Sequence, residues 1–139
     1  MRNTIILNLR QRLASYNDVI KILDDSSLNA RLAVAKNKSA AEHLWCLIGA
    51  RESYARALLA GEWQGFNCSL KVFDHENFAA ALKQSSEQLL TAIEQINDWQ
   101  PEHDALLAAI AEHEVMHEGQ LIRHLYGLGL DPPHSWRWA

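Results

Sequence analysis

His113-Glu114-Val115-Met116-His117 puts two imidazoles four residues apart, in a stretch whose apolar spacing is that of a helix. Residues four apart on a helix stack on one face, so both rings can reach a single metal ion. Gly119, Gln120 and His124 follow. At about 100° per residue, Leu106, Ile110, His113, His117, Gln120 and His124 share one stripe. Its apolar members turn the stripe toward a core, where ring nitrogens need partners. A shared metal satisfies His113 and His117 together. His124 lies roughly 10 Å further along the axis, too far for the same ion. It is expected to line a cavity or to bond a carbonyl near the helix end. Gln120 is near enough to hold a ligand histidine or a water.

Two ligands from one helix do not complete a site. His43 is the best third, because its stripe continues as Leu47, Ala50, Tyr54 and Leu58, again an inward set. Three neutral imidazoles leave one coordination position for water or substrate, as catalytic rather than closed structural sites do. Such ligands suit divalent transition metals, zinc and nickel first, then iron and copper. His75, His103 and His134 fall at helix starts or in the tail and read as solvated. Cys46 reads as a small core residue and Cys68 as a loop thiol, with no C-x-x-C pattern and no disulfide expected.

The elements that must position these groups are helical throughout. With 139 residues, 48% of them hydrophobic, the chain makes one domain with one core. Apolar residues recur at three and four spacings, and no stretch alternates as a strand does. A first helix carries Ile5, Leu9, Leu13, Tyr16, Ile20 and Leu23, and Asp24-Asp25-Ser26-Ser27 ends it. A short amphipathic piece is expected over Leu28 to Val34. Ser39-Ala-Ala-Glu42 is a capping box opening a helix to about Leu59, with Gly61 as its stop. Residues 61 to 73 form a long connection, read as a crossover or a loop over the end of the bundle. Asp74 caps a helix carrying Phe78, Leu82, Leu89, Ile93 and Ile96, and Pro101 suits the first turn of the last, which runs to Tyr126. Four long amphipathic helices predict an all-α four-helix bundle over residues 1–139.

A net charge of -4 and a pI near 5.9 give no electrostatic reason for nucleic acid or an anionic membrane as partner. No segment approaches the roughly 20 apolar residues of a membrane span, and the start is too short in apolar residues for a signal sequence. The expected location is the cytoplasm.

H-E-x-x-H is also the signature of zinc proteases. The extended metzincin pattern needs glycine at 120 and histidine at 123, whereas this chain has Gly119 and His124. Glu114 points about 100° away from His113 on a continuing helix, which makes it a bystander rather than a general base. A di-iron carboxylate site needs a second Glu-x-x-His element, and the chain has none.

The segment from Glu112 to Pro133, with its His-x-x-x-His-x-Gly-Gln and Leu-Gly-x-x-Pro exit, resembles the last helix and tail of the DinB-like (DinB/YfiT) superfamily. Ser39-Ala-Ala-Glu-His-Leu-Trp45, followed by Arg51, resembles that family's second helix. The resemblance implies a four-helix bundle whose metal ligands are His43, His113 and His117. Gly119, matching the family's Gly-Gln pair, would let another helix or loop approach closely. It further implies either a metal-dependent transferase of low-molecular-weight thiols acting on a small-molecule substrate, in detoxification or stress response, or a protein of unassigned activity. Arg51, Tyr54 and Arg123 could then orient carboxylates of the cosubstrate, the alternative for each being a surface or packing residue. The competing class is a dimeric stress-response binding or scaffold protein with a structural metal. A homodimer is the outcome the resemblance implies. Trp136 and Trp138 are expected to cover the bundle or a subunit interface.

Overall fold

The computed structural model describes residues 1–136. They form α1 (Arg2–Ile22), α2 (Asp25–Asn29), α3 (Ala40–Ala60), α4 (His75–Gln95) and α5 (Pro101–Gly127), then a 3-10 turn, His134–Trp136. The protein is all-α, with no strand among the described residues. None of these helices is long and apolar enough to cross a membrane.

Local chemistry explains most boundaries. Ser39 Oγ accepts the Glu42 N–H at 3.2 Å while Glu42 Oε2 accepts the Ser39 N–H at 2.7 Å, starting α3 as a reciprocal cap. Gly61 ends it at φ 76, a left-handed conformation that glycine adopts without strain. Asp74 accepts the Asn77 N–H and starts α4, and Pro101 opens α5. The short helix differs from expectation. It occupies Asp25–Asn29 rather than Leu28 to Val34, because Asp24 and Ser27 form a capping box. The polar run that reads as a stop for α1 is also a start.

The helices α1 and α3 each pack against α4 and α5. Two apolar clusters fill the interior. One gathers Tyr16, Leu44, Phe78, Leu121 and Trp136, among others. The other gathers Leu9, Leu13, Leu58, Leu89 and Ile110. On every long helix the two sets are consecutive, so the level between them falls near residues 13–16, 48–50, 82–89 and 110–121. Buried Ser15, Arg51, Ser85 and Glu114 sit at or next to that level, whereas His43 and His124 lie within the stretch of the first cluster. Trp136 is buried, edge-on to Tyr16 with ring centroids 5.0 Å apart, and its indole donates to Ser15 Oγ at 2.6 Å. Trp138 lies outside the described residues.

The 61–73 connection runs along α3 rather than over an end of the helices. Phe66 packs on Trp45, and Ser53 Oγ accepts the Asn67 N–H at 3.0 Å while donating to the Gly49 carbonyl at 2.7 Å. Gly49 permits this approach: a Cβ there would stand 2.3 Å from Phe66 Cζ and 2.8 Å from Cys68 Cβ. Gly127 does the same for Leu32, whose Cδ1 would be 2.5 Å away. Gly119, expected to admit a neighbour, has nothing within 4 Å of its would-be Cβ. Close packing is needed elsewhere. Gly49→Ala should therefore lower stability by about 1–3 kcal/mol, whereas Gly119→Ala should leave it unchanged or raise it by up to about 1 kcal/mol through helix propensity. Thermal melts of the two variants check this. Equal behaviour would refute the packing argument.

Candidate metal centre

Helix α3 contributes His43 and Cys46 to one end of the interior, and α5 contributes His113, His117 and His124. His113 and His117 are neighbours on their helix, with ring centroids 4.6 Å apart. Across the interface, His43 Nδ1 lies 3.0 Å from His117 Nδ1, so one of these nitrogens donates and the other accepts. Cys46 Sγ lies 3.7 Å from His113 Nε2. His43 also faces His124, with centroids 6.4 Å apart. The expected trio of His43, His113 and His117 is thus brought into one cluster.

The compact donor set within it is different. One ligand atom from each of Cys46, His113 and His117 lie within 4.8 Å of one another. Tetrahedral bonds of 2.0–2.3 Å put ligand atoms about 3.3–3.8 Å apart, so no edge of the set needs to close by more than about 1.5 Å, within reach of small side-chain rotations. His43 adjoins this set through His117. Cys46, read from the sequence as a core residue, is half-buried beside the histidines. The signal was its place three residues after His43, which puts both on one face of α3.

Buried polar atoms need partners, and here several lack one. His113 Nδ1, His117 Nε2 and both ring nitrogens of His124 are buried without a hydrogen bond. The Ala30 carbonyl lies beside His124 and favours its protonated form, yet the pair falls short of hydrogen-bond geometry. Burial holds all four histidines below the usual imidazole range, His43 at about 4 and His117 at about 3. Lys38 adds to the depression at His43, His113 and His117, and the rings depress one another. Neutral imidazoles are the metal-binding form, so the donor chemistry fits a divalent transition metal. Burial raises the Cys46 thiol, which must lose its proton to become a ligand.

Other candidate residues lie elsewhere in the fold. Arg51 does not face a cosubstrate. Its side chain is fully buried, with Nε donating to Glu114 Oε1 at 2.7 Å and Nη2 to Glu114 Oε2 at 2.8 Å. Its guanidinium sits 4.7 Å from the Tyr16 ring centroid, and Nη1 donates to Ser86 Oγ at 3.1 Å. Burial alone would lower the guanidinium; the charge and hydrogen bonds of Glu114, with Tyr16, raise it. Glu114 is consequently no bystander. It turns away from His113 and His117, as its helical position requires, and meets the one buried arginine among the described residues. Tyr54 packs on Trp63 with centroids 4.9 Å apart, in the other apolar cluster and away from the histidines. His75 and His103, both half-buried, are also hydrogen-bonded: the first donates to the Ile20 carbonyl at 2.7 Å, and the second accepts the Gln100 N–H at 2.9 Å. His134 is exposed, and Cys68 is buried with its thiol 3.5 Å from the Trp45 carbonyl.

A cleft of about 710 Å³ opens beside the cluster, lined by residues that include His43, Gly119, Gln120, Arg123 and His124. Gln120 and Arg123, both singled out by the sequence, are exposed on its wall. No family model, curated protein or solved structure matches the chain.

Two expectations follow. Removing the Glu114 charge strands Arg51 in the interior, so Glu114→Gln should cost about 3–5 kcal/mol. Metal stoichiometry of the folded fraction should be unchanged, and denaturant melts with elemental analysis check both. The depressed histidines set the acid behaviour of the metal-free protein. Unfolded, their imidazoles take up protons below about 6.5, whereas the folded forms of His43 and His117 resist protonation to about 4 and 3. Stability is therefore full above pH 6.5 and falls as pH drops toward 4. A metal-free melting temperature that stayed flat across that window would contradict these environments.

Proposed function

We propose that this chain is a DinB-like four-helix bundle that holds a divalent transition metal, zinc or nickel foremost, and uses it on a small molecule. The observation that carries the reading is the convergence of Cys46, His113 and His117 with His43, at one end of the interior and next to a cleft. Four such groups from two helices, with ring nitrogens buried and unpartnered, are hard to account for as packing alone. The donor set is Cys46, His113 and His117, and His43 stands between it and the cleft. Three protein donors leave a position for a ligand arriving through the cleft, the pattern of a catalytic site.

The reaction class we favour is transfer of a low-molecular-weight thiol to an electrophile. A bound metal with an open position supplies the means to hold a thiol sulfur as thiolate at neutral pH. The chain's own residues do the rest. His43 and His117, neutral at pH 7, present lone pairs rather than charge. Gln120 and Arg123 line the approach. Glu114 is locked to Arg51 and offers no general base, which weighs against the hydrolase reading of H-E-x-x-H.

Proton accounting tests the ligand set. With the histidines already neutral, metal binding at pH 7 should release about one proton, that of Cys46. Titration calorimetry in buffers of different ionisation heat measures this, and Cys46→Ser should abolish the release. Loss of metal on His43→Ala with full retention on Cys46→Ser would instead assign the three-histidine set. For the reaction, metal-loaded protein is assayed with several low-molecular-weight thiols and an electrophile. No acceleration over metal-free protein with any thiol would refute the transferase reading while leaving the metal centre standing.

A further inference from the structure

The cleft beside the metal centre is cationic, although the chain as a whole carries a charge of -4. Lys36, Lys38 and Arg123 line it, and no carboxylate does. Of the carboxylates flanking the histidines on their own helices, Glu112 lines a different pocket, beside Asn8 and Arg12, and the other three are held by partners of their own. Glu42 caps α3 and pairs with Arg31 at 2.7 Å, Glu114 is held by Arg51, and Glu118 pairs with Arg12. None of the three cations of the cleft has an ion-pair partner among the described residues, so like charges crowd one concavity without compensation.

The segment that carries the two lysines is built rather than loose. Asn37 Oδ1 accepts the Leu32 N–H at 3.0 Å, and the Asn37 carbonyl accepts from Arg31 Nη1 at 2.7 Å. Between these ties Lys36 takes φ 60, the only non-glycine residue with positive φ among those described. A lysine held in that region is strained, and such strain persists only where surrounding contacts impose it. Lys38 lines the cleft with His43, and after burial its charge is a further, smaller influence disfavouring protonation of His43, His113 and His117 and easing ionisation of Cys46. A cation set against a cation-binding centre is unfavourable unless an anion lies between them.

We propose that this cleft binds a small multiply charged anion bearing carboxylate or phosphate groups, with Lys36, Lys38 and Arg123 as charge partners and His43 at its inner end. Gln120 and Asn37 add polar contacts along the wall. The volume, about 710 Å³, suits a metabolite-sized molecule rather than a polymer. That the anion is the substrate rests on the metal-centre reading; that it binds does not, because the charges are the chain's own.

The test uses the full chain stripped of metal, titrated at low ionic strength with inorganic phosphate and, separately, with succinate. Calorimetry gives affinity, and the ring signals of His43 and His124 in NMR report the place. Saturable binding of either probe is expected, shifting those signals. Lys38→Gln and Arg123→Gln should each weaken it about tenfold, the worth of one charge-assisted contact. Lys83→Gln, exposed on α4 outside the cleft, should leave it unchanged. Preference for phosphate or for succinate identifies which group the site reads. Binding of neither probe, or equal weakening by Lys83→Gln, overturns the proposal. Protein that binds anion but no metal refutes the metal centre alone, and protein that binds metal but neither anion refutes this inference alone.

Discussion

The buried pair of Arg51 and Glu114 is the constraint around which the interior is arranged. Two full charges without solvent contact are tolerable only when each satisfies the other, and here they do so through two parallel hydrogen bonds. The pair ties α3 to α5. Through Ser86 it reaches α4, and through the Tyr16 ring it reaches α1. Tyr16 in turn donates to the Glu114 carbonyl at 3.0 Å and receives the edge of Trp136. All four long helices therefore meet at one polar level between two apolar clusters. Because a buried charge pair admits only one register, it sets how α5 stands against α3. A pair of this kind is a poor source of net stability compared with apolar packing, but it penalises every misaligned arrangement.

The candidate metal centre inherits its geometry from that register. His113 precedes Glu114 and His117 follows it by three, so fixing Glu114 against Arg51 fixes both imidazoles against α3. His43 lies eight residues before Arg51 and Cys46 five before it, a little over two turns and about one and a half turns away. The centre thus sits on rigid helices on one side of the ion pair, with the cleft beyond it. Its histidines are neutral because they are buried among one another near Lys38, which is also why they are suited to a metal rather than to carrying charge.

Sequence reading recovered the elements well where side chains cap their own backbone. Ser39 with Glu42, Gly61, Asp74 and Pro101 act within a few residues, so their meaning does not depend on the rest of the fold. Asp24 with Ser27 is ambiguous for a related reason: a capping run looks alike whether it ends one helix or starts another. The exchange of Gly119 for Gly49 and Gly127 as the close-packing glycines shows the other limit. Whether a neighbour presses on a glycine is decided by a distant segment, here Phe66 and Leu32.

The sequence by itself determined the helical class and the two histidines on one face of α5, because both follow from spacing along a single helix. It determined too that Glu114 faces away from them. Only the tertiary structure decided what Glu114 meets instead, since Arg51 lies 63 residues earlier and only packing of α3 on α5 brings them together. The same packing turned Cys46 from core filler into a candidate ligand beside His113, and gathered Lys36, Lys38 and Arg123 around one cleft. One-dimensional periodicity says which way a side chain points; what stands opposite it is a property of two helices at once.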